Sequence, residues 1–203
     1  MHGHNTPVQG GGEFPLPPGL PEPQDDGAAR HLTGLELPPV SLRSTAGTWV
    51  NLAELSAPRT ILYFYPMTGV PGKPLPDGWD SIPGARGCTP QSCGFRDHHR
   101  ELADLGATVF GVSTQSTEYQ SEMAARLHLP FPILSDNGFE LCDRLRLPTF
   151  TVQGVRLMKR LTLIVRDHRV EKVFYPVFPP NLSAEQVLDW LRGHPLPGQA
   201  TLA

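Results

Sequence analysis

The sequence of 203 residues predicts an α/β fold in which a mixed central sheet is flanked by helices, with a hairpin at its N-terminal end. Apolar runs of strand length alternate with segments of helical periodicity, and strands joined by single helices pair in parallel. Two late apolar runs around a short turn add antiparallel strands. Helices on both faces of such a sheet are the simplest assembly of these elements.

The first strands are predicted before Pro66. Residues 40–42 and 48–52 form the hairpin, across a turn at residues 44–47. Residues 60–65 are a continuous apolar and aromatic run, which is typical of a central strand that is covered on both faces. Pro66 ends this strand because proline cannot donate a hydrogen bond to a sheet.

The later elements alternate between helix and strand up to a second hairpin. The first helix is predicted to run through Leu105 and to end at Gly106. A capping box at residues 183–186 starts the last helix, which stops at Gly193. Between them the predicted segments are a strand at 107–113, a helix at 117–127, a strand at 130–136, a short helix at 139–145 and a hairpin of 159–165 with 170–175.

Three regions differ in composition. Residues 1–33 are rich in Gly and Pro and are predicted to form a flexible tail, and residues 194–203 form a second one. The folded domain is expected to span residues 34–193. Within it, residues 66–87 form an inserted loop in which Trp79 is an apolar anchor. The sequence favours neither of two interpretations of this loop: it is an ordered flap beside the site, or it is a tolerated insertion without a role.

Composition and charge exclude several classes of function. The net charge is −3 and no basic patch is interleaved with aromatic residues, so nucleic-acid binding is not expected. No apolar run approaches the roughly 18 residues that a membrane span needs. The odd count of three cysteines argues against a secreted disulfide framework, and the N-terminus lacks a signal for secretion. We therefore expect a cytoplasmic protein, as a monomer or a weak dimer.

The stretch at residues 84–97 carries two of the three cysteines, and the chain is organised around it. Thr89 is predicted to cap the N-terminus of a helix, with Pro90 at the first helical position, where its missing N–H costs nothing. Cys88 then lies just outside the positive end of this helix, where unpaired amides stabilise a thiolate. Two nearby arginines, Arg86 and Arg96, act in the same direction.

The second cysteine of this stretch is predicted to react with the first. Cys88 attacks an oxidant and Cys93 resolves the product. Residues five apart in a helix are about 8–9 Å apart at Cα, which exceeds the roughly 7 Å that a disulfide spans. A disulfide between these cysteines therefore requires the start of the helix to unwind, so that the segment is helical when reduced and looped when oxidised.

The chain resembles the peroxiredoxins in two motifs, Phe64-Tyr65-Pro66 and the stretch from Gly87-Cys88-Thr89 to Cys93-Gly94-Phe95-Arg96-Asp97. It is most similar to the branch of bacterioferritin comigratory protein and peroxiredoxin Q, over about residues 35–192. The resemblance implies a thioredoxin-like fold and the reduction of hydrogen peroxide and organic hydroperoxides. It also implies thioredoxin or a similar dithiol as the reductant, and no metal, haem or flavin cofactor.

The resemblance also implies roles for individual residues. Cys88 matches the peroxidatic cysteine of the family and Cys93 matches the resolving cysteine. Arg160, which stands directly before the apolar run at 161–165, matches the second active-site arginine of the family.

The chain departs from the family at one position. The family pattern is Pro-x-x-x-Thr-x-x-Cys, in which the threonine hydroxyl positions the peroxide. Counting back from Cys88 gives Ala85, and counting forward from Pro66 gives Val70, so the inserted loop splits the motif. Thr68 is the candidate that folds back to supply the hydroxyl, and a water or a backbone amide is the alternative.

Other interpretations of the same residues remain open. The cysteines of the stretch could be small buried apolar residues, and Cys142, on the apolar face of a short helix, is predicted to be structural. Cys88, Cys93, His98 and His99 are residue types that bind zinc. A helix, however, spreads the last three around its axis rather than converging them.

The function could also belong to another class. A disulfide oxidoreductase exchanges thiols with proteins and needs no peroxide, but the chain lacks a C-x-x-C motif. A redox sensor reacts once and would use the loop at 66–87 to contact a partner. Turnover with thioredoxin and peroxide separates the three classes.

Overall fold

The structure is a computed structural model that describes residues 15–198 of the chain. Its strands are β1 (Ser41–Ser44), β2 (Trp49–Asn51), β3 (Arg59–Phe64), β4 (Ala107–Ser113), β5 (Ile133–Ser135), β6 (Thr149–Val152), β7 (Val155–Met158), β8 (Leu161–Arg166) and β9 (Arg169–Phe174). Its helices are α1 (Cys88–Asp97), α2 (His99–Asp104), α3 (Thr117–Arg126), α4 (Glu140–Leu145) and α5 (Ser183–Gly193). The parts of the two predicted tails at residues 1–14 and 199–203 lie outside the described residues.

Seven strands form a mixed sheet in the order β2-β1-β5-β4-β3-β8-β9, which confirms the predicted fold class. The central strands β5, β4 and β3 are parallel because helical crossovers connect them. The hairpin of β8 and β9 joins β3 in antiparallel pairing, and the N-terminal hairpin of β1 and β2 joins β5. All residues of β3 are buried, as expected of a central strand.

Alternate residues of β3 contribute to hydrophobic clusters on the two faces of the sheet. Leu62 and Phe64 belong to the cluster that includes residues of α4. Ile61 and Tyr63 belong to the other cluster, which includes residues of α1, α3 and α5 and both cysteines of α1. The helix that carries the cysteines is therefore held on the sheet by apolar contacts.

The helix predicted from the first cysteine to Leu105 is two helices in the structure. α1 ends at Asp97 and α2 begins at His99, with His98 between them at φ −98° and ψ 7°. Gly106 has a φ of 78° and its amide donates to the carbonyl of Ala103, which confirms its predicted role in ending this segment.

The start of α5 also differs from the prediction. A 3₁₀ turn at Pro180–Leu182 leads directly into the helix, so Leu182 is the N-cap and the predicted capping box is wrong. The side chain of Ser183 is buried and lies 3.3 Å from Nε2 of Gln91, from which it accepts a hydrogen bond. Ser183 therefore links α5 to α1 instead of capping its own helix.

A second sheet, of two strands, was not predicted. β6 and β7 pair across Gln153 and Gly154, which have φ values of 48° and 79°. Two-residue turns need these left-handed conformations, and glutamine is not a usual signal for them. This hairpin supports the inserted loop, because the buried ring of Trp79 packs 6.2 Å from the ring of Phe150. Trp79 is thus an apolar anchor of the loop, as predicted.

Part of the segment predicted as an N-terminal tail packs against the domain. Ala29 and Leu32 belong to the hydrophobic core, and Leu32 is presented by a 3₁₀ turn at Arg30–Leu32. The ring of His31 bonds to the carbonyl of Leu145 at the end of α4 (2.9 Å). The high Gly and Pro content predicted a tail because it outweighs the few residues that contact the domain. The core therefore extends further towards the N-terminus than the composition indicated.

We predict that Gly111→Ala destabilises the protein by about 1–3 kcal/mol. A Cβ at Gly111 would lie 2.6 Å from Cδ1 of Ile133 and 2.6 Å from the hydroxyl of Tyr63, which is fully buried and donates to Ser92 of α1. The measurement is the free energy of unfolding from urea denaturation. Gly193→Ala is the matched control, because no heavy atom lies within 4 Å of its added methyl group. Equal effects of the two substitutions would contradict the prediction.

Candidate active site

The topology of the sheet brings three chain segments to one edge. The carboxyl ends of the parallel strands β3 and β4 lie side by side, with Phe64 paired with Val112. Thr68 follows the first of these ends and Gln115 follows the second. Because β8 is antiparallel to β3, it starts at the same edge, and Arg160 precedes its first residue. This edge is where ligands commonly bind in open α/β sheets.

Cys88 is the first residue of α1, not the residue before a threonine cap. Gly87 is the N-cap, with a φ of 105° that favours glycine. A Cβ at this position would lie 2.3 Å from Cγ of Pro180 and 3.0 Å from Cδ2 of Leu16. The predicted cap at Thr89 is therefore wrong, because tertiary contacts around a glycine start the helix. The first-turn amides still lack helical partners around Cys88, so the expected positive end is retained.

Arg160 is the side chain that contacts the sulfur of Cys88. It is 3% exposed, and its Nη2 donates to this sulfur at 3.2 Å. Three further hydrogen bonds reach the chain just before the helix, at the carbonyl oxygens of Gly84 (3.3 Å), Ala85 (3.0 Å) and Arg86 (3.2 Å). One guanidinium therefore holds both the end of the inserted loop and the thiol.

Gln91, which the sequence analysis did not single out, holds Arg160 from the other side. It is fully buried, and its Oε1 accepts a hydrogen bond from Nη1 of Arg160. Its Nε2 donates to Ser183, whose hydroxyl lies 3.4 Å from that of Thr162 on β8. The sequence signal that could have identified Gln91 is its position three residues after Cys88, because residues three apart lie on the same face of a helix.

Thr68 is buried and fixed by two residues that follow β4. Its amide and its hydroxyl both donate to Oε1 of Gln115, at 3.0 and 3.2 Å. Its carbonyl accepts from Nε2 of Gln115 (3.1 Å) and from the hydroxyl of Tyr119 (2.9 Å). Gln115 was also missed, although its place after the carboxyl end of a parallel strand is a general signal for site residues.

Thr68 and Cys88 line the same cleft, which has a volume of about 410 Å³. Apolar residues from the inserted loop and from the N-terminal segment form part of its wall. Three basic residues also line it, namely Lys73, Arg86 and Arg126, and no acidic residue of the described chain does so. The cleft therefore has a cysteine and a threonine in its lining, together with basic side chains.

Arg86 and Arg96, expected to act on the thiol, do not hydrogen-bond to it. Arg86 pairs with Asp80 (3.0 Å), and Nε of Arg96 pairs with Asp97 (2.8 Å). Arg96 also donates to the carbonyl of Leu127 at the end of α3 (3.0 Å). The side chain that hydrogen-bonds to the sulfur is Arg160, which the tertiary fold brings there from a distant part of the sequence.

Comparison with known proteins identifies the family. A family model described as Redoxin matches residues 32–188, more than half of the chain. Peroxiredoxin Bcp of Escherichia coli strain K12 is 32% identical over 166 residues, which cover 77% of this chain and 93% of that protein. The chain belongs to the peroxiredoxin family.

Two further relatives agree with this assignment. The chloroplastic peroxiredoxin Q of Sedum lineare is 27% identical over 164 residues, covering 81% of this chain and 80% of that one. The crystal structure of peroxidoxin BcpB from Mycobacterium tuberculosis has a TM-score of 0.65 at 26% identity, covering 81% of this chain and 98% of that one. The chain is therefore a thiol peroxidase of the Bcp and peroxiredoxin Q branch, with a thioredoxin-like fold, as its motifs indicated.

The three cysteines of this peroxiredoxin all lie within the described residues and form no disulfide. Cys93 is 6% exposed and belongs to the hydrophobic cluster beneath α1, whereas Cys88 also lines the cleft. None of the helices between residues 15 and 198 has the length and apolar character of a membrane span.

The histidines considered as zinc ligands have other contacts. Nδ1 of His98 lies 2.7 Å from Glu101, and the ring of His99 lies 5.8 Å from that of Phe131. Between residues 15 and 198, no group of three or more His, Cys, Asp or Glu side chains is arranged to hold a metal ion. Both histidines are half-buried.

Cys142 lies in the hydrophobic cluster on the opposite face of the sheet. Burial raises the pKa of its thiol to about 11, although Nη2 of Arg156 lies 3.8 Å from the sulfur. The backbone amide of Cys142 donates to Asp136 at the start of α4 (2.9 Å). These surroundings support the predicted structural role.

We predict that iodoacetamide leaves Cys142 unmodified in the folded protein at pH 8. Only the thiolate reacts, and a thiol with a pKa of about 11 is almost fully protonated at that pH. The alkylation rate should rise about tenfold per pH unit up to pH 10. The extent of alkylation at Cys142 is measured by peptide mapping with mass spectrometry. The urea-unfolded chain is the control, in which the thiol is exposed. Rapid, stoichiometric alkylation of Cys142 at pH 8 would contradict the prediction.

Proposed function

We propose that this peroxiredoxin reduces hydrogen peroxide and organic hydroperoxides with Cys88 as the attacking thiolate and Cys93 as the resolving cysteine. The observation that carries the proposal is the contact of 3.2 Å between Nη2 of Arg160 and the sulfur of Cys88. A buried cation needs a counter-charge. Cys88 is the only hydrogen-bond partner of Arg160 among the described residues that can become an anion. Arg160 therefore stabilises the thiolate.

In the first step the Cys88 thiolate attacks the terminal oxygen of the hydroperoxide. An S–O bond forms as the O–O bond breaks, so the sulfur is oxidised to a sulfenic acid and the peroxide is reduced. The leaving oxygen takes up the proton that the thiol had released and departs as water or an alcohol. Arg160 and the first-turn amides of α1 stabilise the negative charge on that oxygen in the transition state.

Thr68 is the residue that we propose to position the peroxide. The hydroxyl proton of Thr68 is donated to Gln115, so the oxygen keeps its lone pairs for another donor. The O–H of a hydroperoxide in the cleft is such a donor. Gln115 and Tyr119 hold the backbone of Thr68 as well, so the hydroxyl keeps its orientation without help from the sequence motif that the insertion splits.

Resolution of the sulfenic acid requires a local rearrangement. The thiol of Cys93 attacks the Cys88 sulfur, an S–S bond forms and the S–O bond breaks with release of water. Both cysteines lie in α1, about 8–9 Å apart at Cα by helix geometry, so the start of the helix must unwind first. Gly94 packs against the turn before α5, since its Cβ would lie 3.0 Å from the carbonyl of Asn181. This contact has to loosen as well.

A dithiol of the thioredoxin type then restores both thiols by exchange, so that each peroxide consumes two electrons. The proposed cycle needs no metal, haem or flavin. The cytoplasmic location and the monomeric or weakly dimeric state expected from the sequence stay predictions.

The proposed function is tested by stopped-flow reaction of the reduced protein with hydrogen peroxide, followed by mass spectrometry. The wild-type chain should form a Cys88–Cys93 disulfide and turn over with thioredoxin. Cys88→Ser should not react, because the nucleophile is lost. Cys93→Ser should react once and accumulate a sulfenic acid on Cys88, which dimedone traps.

Each alternative class predicts a different result in the same experiment. A sensor reacts once even in the wild-type form, and a disulfide oxidoreductase exchanges thiols with proteins without peroxide. Full peroxidase activity of Cys88→Ser would refute the proposal. Cys142→Ser is the control for a cysteine outside the site, and it should keep the wild-type rate.

We predict that Thr68→Val lowers kcat/KM for hydrogen peroxide by about tenfold or more. The substitution keeps the shape of the side chain and removes the hydroxyl that accepts from the peroxide. The measurement is the second-order rate constant of the reduced enzyme. Thr151→Val, on the exposed side of β6, is the matched control. An unchanged rate for Thr68→Val would favour a water or a backbone amide in this role.

A further inference from the structure

The chain between residues 15 and 28, which we call the arm, lies against the segment that leads into Cys88. Cδ2 of Leu16 is 3.0 Å from the position of a Cβ at Gly87. Further along the arm, Cγ of Pro23 is 3.4 Å from the position of a Cβ at Gly84. The match to the family model begins at residue 32, so the arm lies outside the region that this model covers.

Asp26 fastens the C-terminal end of the arm beside the active site. Its Oδ2 lies 2.7 Å from Nζ of Lys159, and its Oδ1 accepts a hydrogen bond from the hydroxyl of Tyr175 at 2.8 Å. These two partners lower the pKa of Asp26 to about 2, so the carboxylate is charged at any working pH. Lys159 is next to Arg160 in the chain, so this ion pair ties the arm to the short segment before β8 that carries the site arginine.

The first two residues of the arm belong to the wall of the cleft. Pro15 and Leu16 line the cleft together with apolar residues of the inserted loop, among them Val70, Leu75 and Trp79. A cleft of about 410 Å³ is much larger than hydrogen peroxide, which has two heavy atoms. The apolar wall is therefore available to the substituent of a larger hydroperoxide.

We propose that Leu16 is a specificity-determining residue, which binds the apolar substituent of an organic hydroperoxide in an arm held in place by Asp26. This inference rests on the proposed function. The polar end of the hydroperoxide lies between Cys88 and Thr68, and its substituent extends towards Leu16 and the inserted loop. The contact is apolar, so its loss weakens binding of the organic substrate alone.

The test compares cumene hydroperoxide with hydrogen peroxide on the full-length enzyme. Leu16→Ala should lower kcat/KM for cumene hydroperoxide about five- to tenfold, mainly through KM, and should change the value for hydrogen peroxide less than twofold. Asp26→Ala should show the same selective loss, because it releases the arm. Leu16→Met should retain the wild-type ratio, since it keeps an apolar side chain of similar volume. Leu20→Ala, on the same arm but outside the cleft wall, is the matched control.

The outcomes separate this inference from the proposed function. A wild-type enzyme that reduces neither peroxide through Cys88 would refute the proposed function. A wild-type enzyme that reduces both, with Leu16→Ala lowering both rates equally or neither, would refute the role of Leu16. A change with Leu16→Ala but not with Asp26→Ala would refute the fastening role of Asp26.

Discussion

A buried guanidinium beside a thiol is the interaction on which the rest of this site depends. Arg160 donates to the carbonyl groups at the end of the inserted loop, to Gln91 and to the sulfur of Cys88. The carbonyl and amide groups are neutral dipoles, so the sulfur is where the buried charge can be balanced. The position of the thiol and the path of the chain that leads into α1 are therefore controlled by the same side chain.

The same hydrogen bonds help to hold the long loop at residues 66–87 beside Cys88. The loop at 66–87 is fastened near its start by the contacts of Thr68 with Gln115, and at its end by Arg160. Between these points Trp79 is buried against the hairpin of β6 and β7. A loop held at three places has lost its conformational freedom during folding, and it can serve as a wall of the cleft.

The parallel centre of the sheet determines which residues meet. Strands β3 and β4 end at one edge and β8 begins there, so residues from distant parts of the sequence converge on the start of α1. Tyr63 connects the sheet to that helix, because its hydroxyl donates to Ser92 and its ring stacks on Phe95 at 4.5 Å. The N-terminal arm, which precedes the region that the family model matches, adds part of the wall of the cleft.

The sequence by itself determined the mixed α/β fold, the two hairpins of the main sheet and the place of Cys88 at a helix start, because periodicity and turn chemistry are local. It did not predict the glycine cap of α1, since Gly87 is required by contacts with Pro180 and Leu16 from distant segments. It also missed the polar partners behind Arg160 and Thr68 and the hairpin under the inserted loop. Only the tertiary structure shows these features, because a buried hydrogen bond between residues that are distant in the sequence produces no periodic pattern in either segment.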